Sequence, residues 1–277
     1  MLEIKNINLD LKSTITCGQI FRYEEVEDSY IVVLSDRIVK LKMEDNNLIV
    51  TSNNYNNLEK IIRSYLDLDR DYNKINKELL LSDNSLKEII KASKGFKIMH
   101  TPKLETCISY ILSQNNGVPQ IRNSLNLISK KIGTKTSFEG KEYFLFPSFN
   151  ELKKLSVEDF HECKAGFRDK YLYEFINSDI NINKINNMET NDALEYLMSF
   201  KGIGLKVASC ILLFAYQRFD VFPIDTWVKK YFNENYGISD IKSIKKIAND
   251  KFGKYSGLVI QYIFNYSRNR WFIWNLL

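Results

Sequence analysis

Lys206 and Asp225 are the residues whose setting most clearly suggests chemistry. Lys206 follows Phe200-Lys201-Gly202-Ile203-Gly204-Leu205 and opens a run, Val207 to Tyr216, that is apolar on nearly every side. Such a run reads as a buried helix. A lysine in its first turn is expected to lose hydration and to feel the positive helix end, and both effects lower its pKa. The neutral amine is then a nucleophile. A lysine there can equally snorkel to solvent or touch an anion. Asp225, after Pro223-Ile224 and before Thr226-Trp227, is placed to cap the next helix. A carboxylate held beside an amine can also stabilise positive charge developing on a sugar carbon. Cap and electrostatic partner are compatible roles.

The Gly202-Ile203-Gly204 turn joins two helical segments. Glycines let the chain turn tightly and bring main-chain N–H groups close to an anion, at a helix N-terminus that favours phosphate. The turn reads either as a plain helix–helix connection or as a helix–hairpin–helix grip on a nucleic-acid backbone.

These groups need a scaffold. Ser29 to Leu34, Ile38 to Lys42 and Leu48 to Val50 are β-branched segments with turn-like connections, an antiparallel sheet pattern. From Asn57 the period becomes helical, with Leu58, Ile61, Ile62 and Tyr65 on one face. Helices are expected over Lys103 to Ser113, Val118 to Ile132, Asn191 to Ser199, Leu205 to Arg218, Thr226 to Tyr236 and Ser256 to Arg268. Ser85 reads as an N-cap, and Ser156 with Asp159 as a capping box. The Trp271-Phe272-Ile273-Trp274 cluster reads as a strand or tail packed on the body. The class is α+β: an N-terminal antiparallel β-sheet domain with helices, residues 1–95, then a mainly α-helical body, residues 96–277, with the helix–hairpin–helix motif.

Composition narrows the functions. With 44% hydrophobic residues among 277, the chain can build a substantial core. No apolar run approaches the ~18 residues a membrane helix needs. Met1-Leu2-Glu3-Ile4-Lys5 lacks a secretory pattern, so a cytoplasmic, nucleoid-associated protein of a bacterium or archaeon is expected. Cys17, Cys107, Cys163 and Cys210 show no metal-binding or iron–sulfur spacing, and two histidines, His100 and His161, argue against a His-based centre or triad. No metal site formed by side chains is expected. A net charge of +5 fits a polyanionic partner, and equally fits the Lys, Asn and Ile usage of an AT-rich genome.

Taken together, Gly202-Ile203-Gly204-Leu205-Lys206-Val207-Ala208-Ser209-Cys210 and Val221-Phe222-Pro223-Ile224-Asp225 resemble the helix–hairpin–helix DNA glycosylase superfamily, and within it the 8-oxoguanine DNA glycosylases. The resemblance covers nearly the whole chain. It implies a bifunctional glycosylase and lyase in which Lys206 is the nucleophile and Asp225 its acidic partner. Cys17-Gly18-Gln19-Ile20-Phe21-Arg22 resembles the segment whose glycine carbonyl, here Gly18, accepts the N7–H of 8-oxoguanine. Cys210 and Phe264 match residues that sandwich the flipped base. Asn115, in Ser113-Gln114-Asn115-Asn116, matches the residue that fills the vacated stack. Phe167 and Arg168 match a wedge and a basic residue near the opposite base. Gly202, Gly204 and Trp227 fall at positions close to the DNA backbone.

The resemblance further implies duplex DNA containing 8-oxoguanine as partner, a monomer, and no required cofactor, with room for a structural monovalent or calcium ion on the hairpin carbonyls of Phe200 and Ile203. Departures are specific. Ile260 stands where the family has a glutamine on the Watson–Crick edge, and the neighbouring Gln261 points about 100° away on an ideal helix. Gln120 replaces an arginine that reads cytosine, Trp227 replaces a histidine, and Lys201 replaces the hairpin proline. Two other functions share parts of the pattern: a glycosylase for alkylated bases, which lacks the lysine and uses water, and a non-catalytic helix–hairpin–helix DNA-binding protein.

Overall fold

The computed structural model describes the backbone of residues 1–274 and the side chains of residues 1–267. Five strands form one antiparallel sheet in the order β1-β5-β4-β3-β2: β1 (Leu2–Ile4), β2 (Tyr23–Val26), β3 (Ser29–Val33), β4 (Ile38–Glu44) and β5 (Asn47–Ser52). The three expected strands are its centre. Pairing Val32 with Val39 and Leu41 with Val50 puts those side chains and Tyr30 on one face, where Ile15 of α1 (Leu11–Thr16) and Leu58 and Ile62 of α2 (Leu58–Tyr65) cover them.

The helices α3 (Tyr72–Ser82) and α4 (Lys87–Ala92) fall within the first 95 residues, yet Tyr72, Ile75, Leu79, Ile89 and Ile90 belong to the core of the helical body. The sheet's own core draws on residues up to Leu66, plus Met99. Ser85 does not cap a helix: Asp83 accepts from the Ser85 amide at 3.0 Å and starts a short 3-10 turn. A carboxylate two residues earlier competes better for the free amides.

The body continues with α5 (Lys103–Leu112) and α6 (Val118–Ile132), which Gly133 ends as expected. A small hairpin follows, β6 (Lys135–Phe138) and β7 (Lys141–Phe144), turning through Glu139 and Gly140, both at positive φ. Then come α7 (Phe149–Leu152), α8 (Val157–Glu162), α9 (Asp169–Asn177) and α10 (Thr190–Met198). The Ser156–Asp159 capping box forms at α8. The last four helices are α11 (Leu205–Tyr216), α12 (Thr226–Tyr236), α13 (Ile241–Phe252) and α14 (Ser256–Trp274).

α11 is the axis of the body. Every residue from Val207 to Ala215 is buried, and α11 packs between α5 and α10. It stops two residues before Arg218, because Gln217 turns left-handed at φ 53°. α14 runs on through Trp274, so residues 271–274 are helical and not a strand or tail; how their side chains pack lies outside the described residues. Among the described residues, no helix is long and apolar enough to cross a membrane.

Candidate active site

The hairpin sits between α10 and α11. Ile203 donates its N–H to the Phe200 carbonyl at 3.1 Å, closing the turn. The two glycines differ in what they require. Gly202 has φ +83°, and an added Cβ would lie 2.6 Å from the Tyr171 ring, so conformation and space both demand glycine. Gly204 is extended, at φ −90°, and a Cβ there would meet nothing within 4 Å. It is the N-cap of α11, and no side chain caps that end. The first amides of α11 are therefore left without a side-chain cap, the arrangement that suits an anion.

Lys206 is the second residue of α11. Its Nζ lies 5.7 Å from the centroid of the Tyr110 ring and, among the described residues, makes no ion pair. Lys206 is exposed. The burial expected of it is absent, because α11 is enclosed only from its third residue, Val207, onward. Asp225 is near enough for the two charges to act on one another. Its Oδ1 accepts from the Val228 amide at 2.9 Å, so the capping role is real. Burial raises its carboxyl above the usual aspartate value, opposed by the Val228 amide and by Lys206. Four residues along α11, Cys210 is 5% exposed, and burial pushes its thiol up to about 11, with Lys206 pulling the other way. Cys210 is thus a neutral, apolar wall.

Gly18 follows α1 at φ +88°, which only glycine adopts readily, and the space where a Cβ would stand is open. Its carbonyl accepts the Tyr110 hydroxyl at 3.0 Å. Gln19 and Arg22 of the same segment are structural. Gln19 donates to the Lys97 carbonyl at 2.8 Å and accepts from the Met99 amide at 2.8 Å, while Arg22 pairs with Glu105 and donates to the Phe144 carbonyl. Phe264 is half-buried on α14. Ile260, one turn earlier, is 2% exposed within the core, and Gln261 is also buried.

A second group lies at the end of α5. Asn115 is exposed at φ +45°, and its side-chain amide makes no hydrogen bond among the described residues, whereas Gln114 and Asn116 bond back to α5. Phe167 is 56% exposed, edge-on to Tyr171. Arg168 is 6% exposed. Its guanidinium donates to the carbonyls of Gln114 (2.8 Å), Asn115 (2.9 Å) and Ala165 (3.1 Å) and lies 4.2 Å from the Phe167 ring. The expected basic contact to DNA is therefore a buried brace that joins Asn115 to Phe167. Lys201 is paired with Glu174 at 2.9 Å, so its charge is locally balanced. Trp227 is half-buried at the start of α12, and Gln120 is exposed on α6.

Tyr110 was not visible as a site residue in the sequence. It lies in the apolar run Cys107 to Leu112 and reads as a core aromatic.

The chain's first 107 residues match the family model described as the N-terminal domain of 8-oxoguanine DNA glycosylase. The Clostridium acetobutylicum 8-oxoguanine glycosylase/lyase, in its apo-form, is 36% identical with TM-score 0.90 over 95% of each chain. The chain belongs to the 8-oxoguanine DNA glycosylase family. The same clostridial enzyme in complex with double-stranded DNA containing cytosine opposite 8-oxoguanine aligns at TM-score 0.90 over 97% of each chain, at 34% identity. The Saccharomyces cerevisiae N-glycosylase/DNA lyase is 25% identical over 91% of this chain and 74% of the yeast protein. A 3-methyladenine glycosylase from Archaeoglobus fulgidus aligns at TM-score 0.82 over 97% of this chain and 99% of its own, but at 20% identity it shares the fold alone.

Proposed function

We infer that the protein excises 8-oxoguanine from duplex DNA and then cleaves the abasic strand, with Lys206 as nucleophile. The observation that carries this assignment is Lys206 at the uncapped start of α11, unpaired and within electrostatic reach of the half-buried Asp225. The duplex backbone is held by the amides of the Gly202–Gly204 hairpin, with Trp227 nearby. Asn115 and Phe167, both protruding, enter the stack as the lesion flips out, and Arg168 keeps them in place. The base rests between Cys210 and Phe264, with its N7–H directed to the Gly18 carbonyl.

Closing DNA over Lys206 expels the water that surrounds it in the free enzyme. The neutral amine bonds to C1′, the C1′–N9 bond breaks, and the electron pair leaves with the base, which takes up a proton. The Asp225 carboxylate opposes the positive charge on the sugar as this happens. Nζ then gives up a proton, the C1′–O4′ bond opens with O4′ taking up a proton, and the protonated imine formed between Nζ and C1′ acidifies the C2′ proton. Its removal sends an electron pair toward C3′ and expels the 3′ phosphate. No redox step occurs.

A structural monovalent or calcium ion on the Phe200 and Ile203 carbonyls would stiffen the hairpin. Phe200 O accepts one N–H and keeps a second lone pair. Among the described residues no His, Cys, Asp and Glu cluster could hold a metal, so the donors would be main-chain. The enzyme would work as a monomer on the chromosome, in the cytoplasm or nucleoid.

Borohydride trapping tests the assignment: an adduct with an 8-oxoguanine duplex is expected, and none with Lys206→Gln. Base release that survives Lys206→Gln and leaves the strand intact would indicate the water-using alkylated-base class. Binding without base release or adduct would indicate a passive helix–hairpin–helix module.

A further inference from the structure

Tyr110 touches two functional groups at once. Its hydroxyl donates to the Gly18 carbonyl at 3.0 Å, and its ring lies 5.7 Å from Lys206 Nζ. The ring is itself held firmly: it stacks on Phe214 at 5.6 Å and 16° and meets Phe21 edge-on at 5.8 Å. Lys206, Cys210 and Phe214 recur every four residues along α11, so one row of that helix faces Tyr110 on α5.

We propose that Tyr110 is a positioning residue that aligns the Gly18 carbonyl for the lesion's N7–H while its ring face holds the Lys206 ammonium near the base pocket. The proposal rests on the Gly18 and Lys206 roles given above. A carbonyl oxygen has two lone pairs. Tyr110 occupies one, which orients the carbonyl and keeps it satisfied while the pocket is empty. The other lone pair remains for the ligand. Tyr110 is 4% exposed, and burial holds its phenol well above the ordinary tyrosine value, so the hydroxyl stays a donor at every working pH. The electron-rich ring face attracts a cation, which restricts the Lys206 side chain while it is protonated, before it gives up its proton to react.

The two contacts separate by substrate. A preformed abasic site has no base for Gly18 to read, yet still needs Lys206. Tyr110→Phe keeps the ring and removes the hydroxyl. Single-turnover excision of 8-oxoguanine is expected to fall roughly tenfold more than borohydride trapping on a preformed abasic duplex, as loss of one hydrogen bond in the transition state would give. Duplex affinity should move far less than the excision rate. Tyr110→Leu, which removes the ring as well, should slow both reactions. Equal losses in both assays for Tyr110→Phe would mean a merely structural role and would overturn the proposal, as would no loss in either. Melting curves distinguish a misfolded variant, and Tyr110→Trp offers a second ring lacking the hydroxyl's reach if Tyr110→Leu does not fold. Parent enzyme that forms no adduct on the abasic duplex would instead remove the Lys206 assignment, and this proposal with it.

Discussion

Arg168 donates to the main-chain carbonyl of Asn115 at 2.9 Å, and the same guanidinium lies against the Phe167 ring. One buried cation therefore sets the position of both protruding residues. Truncating it leaves the Gln114, Asn115 and Ala165 carbonyls without their donor. Hydrogen bonds to charged groups contribute about 1.5–3 kcal/mol each. Arg168→Ala should lower the melting temperature by several degrees and slow excision. Arg168→Lys should restore little, since an ammonium cannot span three carbonyls. Calorimetry beside excision rates checks this: lost activity with unchanged melting would show a direct DNA contact.

Phe167 and Asn115 should behave in the opposite way. Both are exposed and support little of the fold. Phe167→Ala and Asn115→Ala should melt close to the parent, yet weaken excision by roughly tenfold or more, because the vacated stack is left unfilled. Fluorescence of 2-aminopurine beside the lesion should report reduced flipping. A stability loss larger than the activity loss would return both residues to a structural role.

Asp225 links stability and activity with opposite signs. Burial raises its carboxyl, so the folded protein holds that proton more tightly than the unfolded chain, whose aspartate titrates near about 3.9. Stability from this group falls as pH rises through the interval between the two values. Activity needs the carboxylate and falls as pH drops through the raised folded value. Asp225→Asn keeps an N-capping oxygen and removes the buried charge. At neutral pH it should melt no lower than the parent while excision drops about a hundredfold or more. A melting temperature well below the parent would show that the cap, not the charge, is the main role.

Gln120 governs the fourth expectation. It is exposed on α6 and carries no charge with which to read the opposite base. Excision opposite cytosine and adenine should differ only modestly. A thousand-fold difference, on the order of 4 kcal/mol, would contradict this. Gln120→Arg should increase the preference for cytosine.

The parts of the site that depend on local backbone rules were legible in the sequence. Gly202 had to be glycine, Asp225 had to cap, and α11 had to be buried, because conformation, capping and apolar patterning act within a few residues. Parts that depend on distant neighbours were not. Nothing near Tyr110 in the sequence points to Gly18, 92 positions away. Arg168 reads as a free cation in the sequence because two of its three carbonyl partners lie 53 and 54 residues off. The exposure of Lys206 is not legible, because the apolar run that follows gives no sign that the first two residues of α11 stand outside the core. In the fold, β1 and α1 were too short to show a period, and the polar β6–β7 hairpin announces itself only through Glu139-Gly140, a two-residue turn.

Both proposed reactions depend on the amine of Lys206. Borohydride reduction during turnover of an 8-oxoguanine duplex, followed by mass spectrometry of the cross-linked peptide, tests it most directly. The predicted result is a deoxyribose adduct on Lys206, lost in Lys206→Gln. An adduct on any other residue, or full excision by Lys206→Gln, would contradict the account.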